Sequence, residues 1–151
     1  MPHSDALQRL LQHYRSMPPV AVMGLSIADY DGQRLQLHAP LARHVNDKGC
    51  AFGGSLASMM TLASWGLVSL QLDAADIDAD VFVADSQVRY LAPLFGDLEV
   101  SASLAEGEDW ADFIKTLRQR GRARTHLVAR VPLADGRPAT TFTARYVAIA
   151  K

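Results

Sequence analysis

The stretch Val45–Leu72, VNDKGCAFGGSLASMMTLASWGLVSLQL, holds the residues best placed for chemistry. It opens as a polar, glycine-rich loop in which Asn46, Asp47 and Gly49 are turn formers. Gly53, Gly54 and Ser55 then lead into a long apolar segment with no proline, and with no charge until Asp73. The pattern predicts a helix that begins within a few residues of Gly54, with Ser55 near the N-cap position. Such a start presents unpaired N–H groups and the positive end of the helix dipole. Two glycines let a ligand approach that backbone, and an oxyanion developing on a carbonyl would be stabilised there. The plain alternative is a buried helix entered through a tight glycine turn, and Gly-Gly-Ser alone is a weak motif.

Other residues offer less. Cys50 with His44 or His38 would make a nucleophile–base pair only at hydrogen-bond range, and a small buried cysteine is the simpler expectation. The five histidines show no metal-ligand spacing and Cys50 is the lone cysteine, so neither zinc nor a disulfide is expected. No cofactor is implied. Lys115, Arg118, Arg120, Arg122 and Arg124 form a basic run. Alternation puts Arg122 and Arg124 on one strand face, where they read either as a dock for an acidic partner or as a solvated strand edge.

The elements that must position these groups follow from periodicity. Ser4 reads as the cap of a first helix carrying Leu7, Leu10, Leu11 and Tyr14, ended by Pro18-Pro19. Val20–Tyr30 reads as a strand, Asp31-Gly32 as a hairpin turn, and Leu35, Leu37 and Ala39 as the return strand. From Leu56 the central segment is apolar on almost every side, as a buried helix is. Its serines and Thr61 argue against a membrane span. Strands are expected over Val81–Leu91, bent near Asp85-Ser86, then over Leu98–Leu104, Arg122–Leu133 and Arg137–Ala150. A short helix is expected around Trp110–Leu117.

Strands clustered before and after one long buried helix give an α+β class, with an antiparallel sheet wrapped round the helix in the hot-dog arrangement. One helix covers such a sheet poorly at its ends, so a dimer is expected, and a tetramer is left open. The 151 residues, 49% hydrophobic, fit a single domain spanning 1–151. A net charge of −1 argues against general nucleic-acid binding. No signal peptide is read at the start, where polar and charged residues interrupt the chain, so a cytoplasmic protein is expected.

Asn46, Gly49, Phe52-Gly53-Gly54-Ser55, Trp65-Gly66, Arg89-Tyr90-Leu91-Ala92-Pro93 and Gly96-Asp97 together resemble the thioesterase domain at the C-terminus of YiiD proteins, a hot-dog family. The resemblance covers nearly the whole chain. Cys50 stands where that family is expected to carry Thr. Related acyl-CoA thioesterases place a His before the two glycines and an acid about two turns on; here those positions are Phe52 and Thr61. Hydrolysis needs a base to deprotonate water, and the helix from Gly53 to Leu72 offers neither carboxylate nor imidazole. Decarboxylation of a malonyl thioester needs its enolate charge held instead, which suits Asn46, Thr61 and the N–H groups of Gly53 and Gly54. Similar family members are associated with malonyl-ACP decarboxylation. The resemblance thus implies an enzyme acting on acyl carrier protein or coenzyme A thioesters. Decarboxylation stands ahead of hydrolysis, and a non-catalytic acyl-binding module stays open. Phe52, Ser55, Ser64 and Trp65 are the candidates for contacting substrate, with Arg122 and Arg124 for the carrier.

Overall fold

A computed structural model describes residues 3–151. Six antiparallel strands form one sheet in the order β1-β2-β4-β5-β6-β3. The strands are β1 (Ser26–Tyr30), β2 (Arg34–Ala39), β3 (Ala79–Tyr90), β4 (Leu98–Leu104), β5 (Arg122–Pro132) and β6 (Pro138–Ala150). The central helix α3 (Gly53–Ala74) lies across one face of the sheet. With α1 (Ser4–Ser16) packed against α3, this is the hot-dog fold.

The strands obey their alternation. In β5, Ala123, Thr125, Leu127, Ala129 and Val131 are buried toward α3, while Arg122, Arg124, His126 and Arg130 face out. α3 has no polar side. Leu56, Met59, Met60, Ala63, Leu67, Val68, Leu70 and Leu72 are all buried, and each large one contributes about 1.5–3 kcal/mol. The helix is long and apolar enough to cross a membrane by length and composition, but here it is the core helix of a globular fold.

Gly66 is where α1 meets α3. A side chain there would collide with the Tyr14 hydroxyl and crowd Leu35. Its absence lets the fully buried Tyr14 donate to the Leu62 carbonyl at 2.7 Å. From the sheet side, Tyr146 donates to the Thr61 carbonyl at 2.7 Å. Burial pushes both phenols well above the ordinary tyrosine range, so both remain donors.

Two expectations need correction. Val20–Tyr30 is not one strand: Pro18–Ala21 forms a short helix, α2, and β1 starts only at Ser26. Pro18 ends α1 by holding Met17 extended, then serves as the first residue of α2, where a missing N–H is harmless. Ser4 is not a cap, because it is already helical and His3 precedes it without a side-chain bond. The bend expected in β3 near Asp85-Ser86 is present as a register irregularity between Val83 and Asp85. The short helix expected around Trp110–Leu117 is α4 (Trp110–Arg120), which is capped by the Asp109 side chain and closed by Gly121 at φ 75°.

Candidate active site

The loop before α3 is a closed, hydrogen-bonded unit. Phe52 N–H donates to the His44 carbonyl at 2.7 Å, and Asn46 N–H to the Cys50 carbonyl at 2.8 Å. Gly49, at φ 83°, makes the turn between them. The Asn46 side chain completes it: Oδ1 accepts from Lys48 N–H (2.8 Å) and Cys50 N–H (3.2 Å), and Nδ2 meets Cys50 Sγ at 3.3 Å. An amide carries two N–H bonds, so one remains for a ligand.

Phe52, not Ser55, is the N-cap residue of α3. Ser55 and Leu56 N–H both turn back to the Phe52 carbonyl, leaving those of Gly53 and Gly54 without an intrahelical acceptor. Tyr90, from the end of β3, donates to the Gly53 carbonyl at 2.9 Å. The Phe52 ring folds over Gly54, and both aromatic side chains are 57% exposed. The sequence motif contained Tyr90, but nothing in its spacing announced this contact.

The Ser55 hydroxyl is drawn away from the cap by a tertiary partner. It lies 2.8 Å from His44 Nδ1, and His44 Nε2 lies 2.8 Å from the Met23 carbonyl. His44 is only 6% exposed and pairs with Ser55, not with Cys50. His38 is committed elsewhere, to Asp97 at 3.2 Å. The Cys50 nucleophile arrangement is therefore not built, and Cys50 is a small buried residue.

Thr61 lies away from this loop, in a pocket of about 660 Å³ between α1, α3 and β3. Its hydroxyl donates back to the Ala57 carbonyl at 2.8 Å, so toward the pocket it offers lone pairs. Trp65 forms part of the wall, its indole N–H donating to the Val81 carbonyl at 3.0 Å. Within one chain Asn46 does not line this pocket. Ser64 is fully buried beside the core, with no hydrogen-bond partner for its hydroxyl. The far end of the pocket is charged: Asp73 pairs with Arg9, and Asp78 and Asp80 with Lys151.

Arg122 and Arg124 are both exposed on the outer sheet face. They lie toward the C-terminal end of α3, where Arg118 donates to the Ala75 carbonyl at 2.9 Å. That end is about 32 Å from Gly53 at 1.5 Å per residue. It is also the end where Ala150 N–H meets the Gly121 carbonyl and Lys151 closes the pocket. Among the described residues there is no metal-binding cluster of His, Cys, Asp or Glu.

The same architecture occurs in solved structures. A Chlorobaculum tepidum protein of unknown function, OLEI01261, is 29% identical, with a TM-score of 0.92 over 98% of this chain and 96% of that one. The "putative thioesterase from Shewanella oneidensis" is 30% identical, with a TM-score of 0.85 over 97% of this chain and 99% of that one. PA5026 of Pseudomonas aeruginosa, titled "Probable Thioesterase", shares the fold at 21% identity, with a TM-score of 0.81 over 100% of this chain and 97% of that one. The sequence model described as "Putative thioesterase (yiiD_Cterm)" matches residues 4–150. With its glycine-started central helix and sheet matched end to end, the chain belongs to the YiiD C-terminal thioesterase family.

Proposed function

We propose that this is a single-domain cytoplasmic enzyme that works as a homodimer on acyl thioesters. Its reaction, in this reading, is decarboxylation of malonyl-ACP to acetyl-ACP for the start of fatty-acid synthesis. The observation that supports it is the neutral start of α3. Gly53 and Gly54 keep free N–H groups, and no charged side chain occurs from Gly53 to Leu72. When the malonyl C–C bond breaks, its electron pair moves into the thioester, CO₂ leaves, and the enolate oxygen carries the charge. Backbone N–H groups and the spare Asn46 N–H stabilise that oxygen. A proton from water then converts the enolate to acetyl thioester. A carboxylate at Thr61 would repel the substrate's own.

The feature that supports a dimer is β3. It is a 12-residue edge strand, unpaired on its outer side, with Phe82 55% exposed. An open edge of that length, with Phe82, Val83 and Tyr90 exposed on it, offers a pairing surface. Two-fold antiparallel pairing centred on β3 would lay the Tyr90 end of one strand beside Ala79–Val81 of the other. Tyr90 holds Gly53, and Val81 borders the Thr61 pocket. In this reading each site combines the Asn46 loop of one protomer with the Thr61 pocket of its partner. Phe52 and Trp65 then border the acyl group. Arg122 and Arg124, which form no ion pair among the described residues, receive the acidic carrier.

Hydrolysis is the second reading, favoured by the His44 imidazole beside Ser55, a nitrogen base at the helix start. Incubating the purified protein with malonyl-ACP, and separately with a panel of acyl-CoAs, distinguishes the readings. Acetyl-ACP means decarboxylation and free carrier thiol means hydrolysis. No turnover of any substrate would leave an acyl-binding module.

A further inference from the structure

We propose that Ser55 is an activated nucleophile with His44 as its base, able to carry an acyl group from a thioester. The inference rests on the acyl-thioester reading but not on decarboxylation.

The hydrogen-bond network fixes the proton positions. A carbonyl only accepts, so His44 Nε2, 2.8 Å from the Met23 carbonyl, carries the ring proton. In the neutral ring Nδ1 is then an acceptor, and the Ser55 hydroxyl donates to it at 2.8 Å. A hydroxyl bonded to an imidazole whose other nitrogen is held by a third group is the arrangement of an activated serine. A backbone carbonyl here fills the orienting role that a carboxylate takes in other sites. His44 is buried and fixed at both nitrogens, while Ser55 is partly exposed, so the base is enclosed and the nucleophile is reachable. The free N–H groups of Gly53 and Gly54 adjoin Ser55 in the same turn, where an oxyanion would form.

The steps balance. Ser55 Oγ bonds to the thioester carbon as its proton passes to His44 Nδ1, and the carbonyl electron pair moves onto oxygen. Collapse restores the carbonyl and breaks the C–S bond, and the departing thiolate takes the proton from Nδ1. Water then attacks the serine ester, giving its proton to Nδ1. That proton returns to Ser55 as the free acid leaves. The net change is thioester plus water to acid plus thiol.

A fluorophosphonate probe tests the pair without requiring turnover. On the wild-type chain we expect one adduct, mapped to Ser55 by peptide mass. Ser55→Ala should lose it. His44→Gln should slow labelling by about a hundredfold, the scale of a lost general base. Circular dichroism checks that each variant is folded. Acid-quenched wild type after exposure to an acyl-CoA should carry one acyl mass, which needs no variant. Folded wild type with no adduct from either reagent would reduce the pair to a strut between loop and helix, as would equal labelling of Ser55→Ala. Malonyl-ACP decarboxylation is followed in parallel. Because it needs no acyl-serine, its absence counts against decarboxylation alone.

Discussion

The Tyr14 hydroxyl occupies the space into which a side chain at position 66 would project, and from there it donates to the Leu62 carbonyl. Gly66→Ala should therefore both overpack the α1–α3 contact and break that bond. We expect a loss of about 2–4 kcal/mol in urea unfolding, the sum of an overpacked methyl and an orphaned buried group. Tyr14→Phe alone should cost about 1 kcal/mol. The double variant should be less destabilised than the two losses added, because removing the hydroxyl makes room for the methyl.

Asn46→Ala should lower kcat by roughly a hundredfold, as loss of one oxyanion donor does. Thr61→Val should slow the reaction without lowering the melting temperature. If the two residues meet across a dimer, refolding the two impaired variants together should restore activity to about a quarter of wild type, by random pairing. A monomer in sedimentation, or no recovery on mixing, would mean that Asn46 and Thr61 do not share one site, since within one chain Asn46 does not line the Thr61 pocket.

Thr61→Asp separates the chemistries. It should abolish malonyl-ACP decarboxylation by repelling the substrate carboxylate. In a hydrolase the same change supplies a base and should raise acyl-CoA hydrolysis.

Reversing Arg122 and Arg124 to Glu should raise KM for an ACP substrate, with the larger effect at low salt. An unchanged KM at low ionic strength would make the two arginines a solvated face.

Asp97 anchors the turn after β2. The Leu41 N–H (2.9 Å) and then His38 hold its carboxyl below the ordinary aspartate range. A depressed folded pKa contributes stability above the unfolded value, near 4, and loses it as pH falls through the folded one. Asp97→Asn should therefore be less stable than wild type at pH 6. The difference should shrink in acid melts below pH 4.

Much of this was legible in residue order. The uncharged run after Gly53 marked α3 because burial on all sides tolerates no charge, and the strict alternation of β4 and β5 marked their inner faces. Local rules failed where a distant group competed. Ser55 looked like a cap, but His44 holds its hydroxyl. Pro18-Pro19 looked like a stop, but it also starts α2. Asn46 and Thr61 looked like neighbours across a turn, yet the helix carries Thr61 into another pocket.

A helix that is apolar all round has no side that must face outward, so burial alone leaves its rotation and axial slide nearly degenerate. The two phenols remove that freedom. Tyr14 from one side and Tyr146 from the other seize consecutive carbonyls, those of Leu62 and Thr61. A slide or twist by one residue would strand two buried donors at once, at about 1–3 kcal/mol each. Polar contacts thus set the angular address of Thr61, while grease sets only its depth.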